Sequence, residues 1–282
     1  MHCLNMNKRT LAYSPCPNDT FIFYAMIHQE IACPNLQFDV IHADVEQLNQ
    51  AARQATYDIT KLSFHAVGHL LKDYALLRTG AALGRNCGPL IVAQKGKDLS
   101  VLSRSSIAVP GIWTTANLLL GLYLNSTPPV VPMSFDTIMP AIQKGEYAAG
   151  VIIHEGRFTY NQYDLTCLLD LGQWWEEETG LPVPLGGIAS KRNLGYLNNV
   201  IENCIMASID FAYQFPHKAS AYIQQHAQET SMDVIQKHID LYVNDDTRYL
   251  SETGVLAIET LFERARRFGL MPDLSENLFD GF

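Results

Sequence analysis

A histidine at the end of an apolar run is the clearest candidate for chemistry in this chain. His154 follows a run that predicts a buried strand over Ala148–Ile153. A histidine at the carboxyl end of a strand can project into a ligand site, and its neutral ring can accept a proton near neutral pH. The alternative is a ring that only hydrogen-bonds a loop carbonyl.

A second strand is predicted over Asp58–Leu62. It ends with Lys61 and Leu62, and Ser63 follows directly. The lysine ammonium and the serine hydroxyl can bind a carboxylate or a sugar oxygen. A solvated lysine and a helix-capping serine are the alternative interpretation of the same residues.

Thr114 and Thr115 follow a predicted strand, Ser106–Pro110, and begin a predicted helix, Thr115–Leu124. Threonine hydroxyls beside the N–H groups of a helix N-terminus suit a carboxylate ligand. Simple capping of the helix by a threonine is the alternative.

A turn with two prolines lies near the start of the chain, in the segment Ser14–Phe21. It joins the predicted strand Leu11–Tyr13 to a predicted helix, Thr20–Gln29, and we expect Asn18, Asp19 or Thr20 to cap that helix. Free N–H groups and the positive end of the helix dipole favour an anionic ligand here. Asn18 and Asp19 are therefore candidates for a ligand cleft, against the alternative of a purely structural turn.

The sequence predicts no metal site and no nucleotide-binding loop. His65 and His69 are four residues apart, but no H-E-x-x-H pattern and no intervening carboxylate accompany them. The chain has no P-loop, no G-x-G-x-x-G after a strand, no G-x-S-x-G elbow and no C-x-x-C pair.

Composition limits the classes of partner. The formal net charge of −9, with no basic cluster, argues against nucleic-acid binding. Six scattered cysteines are typical of a reducing compartment, so we expect a cytoplasmic protein. The segment Met1–Thr10 has no secretory apolar core, and no apolar run is long enough to span a membrane.

Strand and helix signals alternate along the 282 residues, which predicts an α/β protein with two lobes. We place the first part of lobe I at residues 1–95, lobe II at 96–190, and a C-terminal helical part of lobe I at 191–282.

An internal repeat supports two similar lobes. A shift of 90 residues brings Leu48 onto Ile138 and Tyr57 onto Tyr147, and each segment reads as a helix followed by a short apolar strand. Ligands of open α/β sheets bind beyond the carboxyl ends of the strands, so we expect both strand ends to face one cleft.

Several motifs together resemble one known family, the 1,4-dihydroxy-6-naphthoate synthases of the futalosine route to menaquinone. The resemblance covers nearly the whole chain. Its motifs are Ser14–Phe21, Thr60–Ser63, Gly80–Pro89, Pro110–Gly111 with Thr114–Thr115, Ile152–Glu155 with Arg157–Tyr160, Leu171–Gly172, Trp174–Glu177 and Thr179–Pro182.

The resemblance implies a two-lobed fold like that of type II periplasmic binding proteins, with a central cleft. It implies a lyase that cleaves a carbon–carbon bond of cyclic dehypoxanthine futalosine, an anionic small molecule, and releases 1,4-dihydroxy-6-naphthoate. His154 matches the proton acceptor of the family, whereas Lys61–Ser63 and Thr114–Thr115 match its substrate contacts. No metal or organic cofactor is implied.

Two other functions stay open at this point. A solute-binding protein without catalysis would have the same lobes, but it normally carries an export signal. A related chorismate dehydratase would share the fold, although the motifs at Ser14–Phe21 and His154–Tyr160 speak against it. The sequence leaves the oligomeric state open and permits a homo-oligomer.

Overall fold

The computed structural model describes residues 7–227, 231–273 and 275–280. Cys3 and most of the polar N-terminal segment lie outside the described residues. Within these ranges, no helix is long and apolar enough to cross a membrane.

Strands and helices alternate through most of the described chain. The strands are β1 (Asn7–Tyr13), β2 (Leu36–His42), β3 (Ile59–Ser63), β4 (Tyr74–Leu76), β5 (Ala82–Gly84), β6 (Leu90–Gln94), β7 (Ile107–Val109), β8 (Val130–Pro132), β9 (Ala149–Ile152), β10 (Leu165–Asp170) and β11 (Val183–Lys191). The helices are α1 (Pro17–Ile27), α2 (Val45–Ala52), α3 (Phe64–Leu70), α4 (Thr115–Leu124), α5 (Phe135–Gln143), α6 (Gly156–Thr159), α7 (Leu171–Thr179), α8 (Leu197–Gln214), α9 (Pro216–His226), α10 (Met232–Tyr242), α11 (Asp245–Arg248) and α12 (Glu252–Arg267).

Contacts divide the chain into two compact units. Unit 1 comprises residues 1–82, 186–251 and 274–282, and unit 2 comprises residues 83–185 and 252–273. Residues 83–95 and 252–273 thus belong to unit 2, whereas the sequence division assigns them to lobe I, and residues 186–190 belong to unit 1, whereas the sequence division assigns them to lobe II. Residues 252–273 belong to unit 2 because α12 packs against α4 of that unit.

Unit 1 is built on a sheet with the strand order β2-β1-β3-β11-β4, and β5 pairs with β11 beside this path. β1 runs parallel to both β2 and β3, so their carboxyl ends share one edge of the sheet. Helix α1 packs against α8, α9 and α10, and together with β1 they bury the main hydrophobic cluster of the unit.

Unit 2 repeats this topology with the strand order β10-β6-β9-β7-β8. β7 runs parallel to β8 and β9, whereas β6 is antiparallel to β9, as β11 is to β3 in unit 1. In each unit, therefore, the middle strand of the five, β3 or β9, ends at one of the candidate segments.

The internal repeat predicted from the sequence is present in the structure. Helix α2 and strand β3 in unit 1 correspond, 90 residues on, to α5 and β9 in unit 2. In both segments the apolar residues of the helix lie on one face, which packs against the unit, and a buried strand follows the helix.

The start of α1 differs from the sequence prediction. α1 begins at Pro17 with Cys16 as its N-cap, because proline is favoured in the first turn and its missing N–H costs nothing there. Helix α7 begins at Leu171 after the cap Asp170, so Trp174 and Trp175 lie inside it. Strand β10 was not predicted, because its residues show no clear alternation.

Candidate functional site

The carboxyl edge of the unit 1 sheet holds a buried ion pair. Lys61 Nζ lies 2.8 Å from Asp19 Oδ1, and the two side chains are 7% and 2% exposed. Asp19 lies in the first turn of α1, directly after β1, and Lys61 lies near the end of the parallel strand β3. The structure therefore brings two candidate residues together, and a solvated lysine is excluded.

Asp19 also accepts hydrogen bonds from its own turn. Ser14 Oγ donates to Asp19 Oδ2 at 2.7 Å, and Asn18 Nδ2 donates to Asp19 Oδ1 at 2.9 Å. The expectation that Asn18, Asp19 or Thr20 caps the helix is wrong. Because α1 begins at Pro17, these residues fall within its first turn, and the Thr20 hydroxyl donates back to Cys16 O at 3.0 Å.

Leu62 and Ser63 are held by the sheet and by α2. Leu62 is fully buried and pairs with Gly187 of β11. Ser63 is the N-cap residue of α3, as the capping alternative expects, but its Oγ accepts from Asn49 Nδ2 at 3.1 Å and makes no capping bond. The Leu62 side chain is therefore not available to a ligand.

A residue that the sequence analysis missed completes this network. His238 on α10 is 1% exposed, and its Nε2 lies 2.9 Å from Asn18 Oδ1. A signal was present in the sequence, since His238 interrupts the apolar spacing of Ile235, Ile239 and Tyr242 on one helix face. A polar ring on such a face needs a hydrogen-bond partner.

In unit 2, Thr114 and Thr115 lie at the start of α4, after β7. The Thr114 hydroxyl donates to Gly111 O at 2.8 Å and accepts from Asn117 N at 3.3 Å, so the capping alternative holds for Thr114. The Thr115 hydroxyl donates to Leu185 O at 2.6 Å. Both hydroxyl protons therefore point to main-chain carbonyls, and a carboxylate would have to displace a carbonyl to receive either of them.

His154 lies just beyond the carboxyl end of β9, half-buried, at the same sheet edge as the loop that follows β7. Its backbone has a φ of 54°, in the left-handed region that residues other than glycine rarely adopt. The imidazole packs edge-on against Phe135, with 5.0 Å between ring centroids. The ring is thus neither buried in the core nor fully exposed.

Arg157 anchors the turn that carries His154. Its Nη2 lies 2.6 Å from Asp170 Oδ2 and donates to Gly88 O at 3.2 Å, and Asp170 Oδ1 also caps α7 by accepting from Gly172 N. This arrangement ties α6 to the starts of both β6 and α7.

The remaining motifs contact one another near the start of α7. A Cβ on Gly172 would lie 2.6 Å from Gly88 Cα, so the two backbones touch where the Gly80–Pro89 segment meets α7. Glu176 Oε1 accepts from Asn86 N at 2.7 Å, which ties α7 to the Gly80–Pro89 segment. The fully buried Trp175 donates from its indole to Pro182 O at 3.1 Å.

No group of three or more metal-ligating side chains occurs among the residues that the structure describes. His65 lies at the start of α3 in unit 1 and His69 lies in its last turn. The centroids of their rings are 5.1 Å apart.

Comparison with known proteins identifies the family. The family model described as menaquinone biosynthesis matches residues 9–267. The chain belongs to this family.

Among its curated relatives, a 1,4-dihydroxy-6-naphthoate synthase from Thermus thermophilus is 42% identical over 97% of this chain and 100% of its own length. An enzyme of the same name from Streptomyces coelicolor is also 42% identical, over 94% of this chain and 95% of its own. The family expected from the sequence motifs is therefore confirmed.

Solved structures confirm the α/β fold class. A crystal structure of an Archaeoglobus fulgidus protein superposes on this member of the menaquinone biosynthesis family with a TM-score of 0.87 at 36% identity, covering 96% of this chain and all of the other. A Candida albicans protein described as having the generic periplasmic binding protein fold gives a TM-score of 0.70 at 12% identity, covering 95% and 92% of the two chains. The fold is therefore like that of periplasmic binding proteins, whereas the central cleft stays a prediction.

Proposed function

We propose that this protein is a lyase that converts cyclic dehypoxanthine futalosine into 1,4-dihydroxy-6-naphthoate in menaquinone biosynthesis. The observation that carries the proposal is the identity of 42% to two synthases of that name over nearly the full length of each. The matched lengths, 275 and 271 residues, cover nearly the whole chain.

His154 is the proposed general base. Support comes from its left-handed backbone at the end of β9, because strained backbone at a strand end is a recurrent feature of active sites. In its neutral form the imidazole takes a proton from the substrate, and cleavage of the carbon–carbon bond follows with release of the sugar-derived fragment. A general base of this kind contributes about 10²–10⁴-fold to the rate.

Lys61 is the proposed contact for the anionic group of the substrate. Its ammonium donates to Asp19 Oδ1 at 2.8 Å and lies 3.5 Å from Gly80 O. These two contacts with described residues use two of the three N–H donors of the ammonium, which leaves one for a ligand oxygen. Ser63 and the Leu62 backbone are proposed to contact the substrate beside it. Thr114 and Thr115 are proposed to bind through the N–H groups of the α4 N-terminus, because their hydroxyl protons point to carbonyls.

A direct assay separates this proposal from its rivals. The purified protein is incubated with cyclic dehypoxanthine futalosine or with chorismate, and the products are identified by mass spectrometry. Formation of 1,4-dihydroxy-6-naphthoate from the first compound is expected, without an added metal or organic cofactor. Dehydration of chorismate would replace the proposal with a dehydratase, and binding without conversion of either compound would leave a solute-binding protein.

We further propose that the protein works in a reducing compartment, the cytoplasm. The support is that none of the cysteines in the described part of the chain forms a disulfide bond, namely Cys16, Cys33, Cys87, Cys167 and Cys204.

A further inference from the structure

A chain of buried hydrogen bonds leads from helix α10 to the lysine at the carboxyl edge of the unit 1 sheet. The ring of His238 contacts Asn18, Asn18 contacts Asp19, and Asp19 contacts Lys61, at 2.9, 2.9 and 2.8 Å. The side chains of Asn18 and Lys61 bind the same carboxylate oxygen, and Ser14 binds the other. Each of these residues is at most 6% exposed.

The direction of these bonds fixes the position of one proton. Asp19, paired with the Lys61 ammonium, can only accept hydrogen bonds, so Asn18 must turn its NH₂ group toward Asp19. The Asn18 carbonyl then faces His238, and it can accept only if Nε2 of His238 carries a proton. The network is therefore connected donor to acceptor from the ring to the ammonium.

Packing alone does not explain a histidine at this position. Its neighbours on the same face of α10, Ile235 and Ile239, belong to the hydrophobic cluster of unit 1. Burial of a polar ring is unfavourable unless the ring is hydrogen-bonded, so an apolar residue would fill the space at lower cost. What the imidazole adds is a donor aimed at Asn18.

We propose that His238 is a positioning residue for the substrate-binding lysine. Through Asn18 it holds the Asp19 carboxylate in one orientation, and the carboxylate in turn holds the Lys61 ammonium with one N–H directed away from its protein partners. The proposal rests on the proposed function, in which this N–H binds the anionic group of cyclic dehypoxanthine futalosine. Because such a contact is made in both the ground state and the transition state, its loss raises KM and leaves kcat nearly unchanged.

Three variants test the role of the ring. His238→Met removes the donor, and we expect KM to rise about tenfold or more while kcat changes less than about threefold. His238→Gln keeps an N–H donor and is expected to retain a KM near that of the wild type. Ile239→Ala, one residue along the same helix, is expected to lower stability toward urea but to leave KM unchanged. An unchanged KM for His238→Met, or an equal rise for Ile239→Ala, would overturn the proposal.

A double-mutant cycle shows whether the effect passes through Asn18. Asn18→Leu is expected to raise KM as His238→Met does, and the double variant is expected to be no worse than Asn18→Leu alone. Full additivity of the two changes would contradict the relay. Should His238→Met fail to fold, Asn18→Leu and His238→Gln still give opposite expected outcomes for KM.

A spectroscopic readout separates this proposal from the proposed function. In protein labelled with ¹⁵N-histidine, the resonances lost in His238→Gln identify the ring, and a protonated Nε2 is expected. An unprotonated Nε2 would overturn the network even in an active enzyme. A protonated Nε2 in a wild-type protein that makes no naphthoate would preserve the network but refute the synthase function and the substrate-binding role of Lys61.

Discussion

At the scale of single residues, His154 combines a polar ring with a strained backbone. Its φ of 54° costs a residue with a Cβ about 1–2 kcal/mol, which glycine avoids and asparagine partly avoids. Gln29, Ala55 and Asp164 also have positive φ in this chain, so the backbone alone does not identify a catalytic residue. The proposed role of His154 therefore needs a test that separates the ring from the backbone.

Two substitutions at His154 separate stability from activity. We expect His154→Asn to unfold in urea with a free energy equal to or above that of the wild type, because asparagine tolerates this backbone, whereas His154→Val loses about 1–2 kcal/mol. Both variants are expected to lose turnover by about 10²–10⁴-fold in steady-state assays. Wild-type turnover in His154→Asn would remove the ring from the mechanism.

At the scale of elements, unit 2 depends on a close backbone contact between the segment before β6 and the start of α7. A Cβ on Gly172 would approach Gly88 Cα at 2.6 Å and Gly88 N at 2.7 Å, and both of these are backbone atoms that no rotamer change can move. The same contact positions Asp170 and Gly88 O, which together hold Arg157 and the turn after His154.

Gly172→Ala is expected to lower the free energy of unfolding by about 1–3 kcal/mol or more, because the added methyl group forces the two segments apart. Gly156→Ala is the matched control, since its Cβ would meet only side-chain atoms, at 3.5 Å and beyond, in the same unit. Urea unfolding of both variants measures the difference. Equal stability of the two would mean that the Gly88–Gly172 contact can relax without loss.

The contact between β2 and α9 is expected to make the stability of the protein depend on pH. Burial and the neighbouring His226 ring lower the pKa of His42, whose Nε2 contacts Tyr222 Oη at 3.1 Å. Tyr13 and His28 also contact Tyr222 in this cluster. Because the unfolded chain binds a proton at His42 more readily than the folded chain, acid favours unfolding, and stability falls as pH drops below about 6.5.

His42→Gln, which can keep a hydrogen bond to Tyr222, is therefore expected to lose less stability than the wild type between about pH 7.5 and pH 5.5. Urea unfolding at the two pH values measures the change, and His217→Gln on the exposed side of α9 is the control. A wild-type pH dependence in His42→Gln would assign the effect to other groups.

At the scale of the whole molecule, the charge opposes the proposed ligand. The formal net charge is −9, and its long-range field would repel an anionic substrate. If the proposed substrate binds, we expect its binding to depend on local donors such as Lys61 rather than on electrostatic steering.

A salt series tests this view of the charge. We expect kcat/KM for cyclic dehypoxanthine futalosine to stay constant or to rise up to about twofold between about 0.01 M and 0.15 M NaCl, because salt screens the repulsion. A steep fall in kcat/KM over the same range would reveal a local positive field that attracts the substrate and outweighs the net charge.

The sequence by itself determined the α/β fold, the repeat of α2 and β3 in α5 and β9, and the place of His154 after β9. These are local properties, since apolar periodicity and turn residues define an element from its own few residues. The motifs also determined the family. The candidate residues at strand ends followed from the general rule that parallel strands direct their carboxyl ends to one edge.

Only the tertiary structure decided which partners these residues have. Asp19 and Lys61 are 42 positions apart, and Asn18 and His238 are 220 positions apart. Their bonds exist because β1 pairs with β3 and because α10 packs on α1. In the same way, the direction of the Thr114 and Thr115 hydroxyls depends on carbonyls of Gly111 and Leu185. A hydrogen bond needs two atoms within about 3 Å, and for residues far apart in the chain that proximity is a property of packing, which no local pattern encodes.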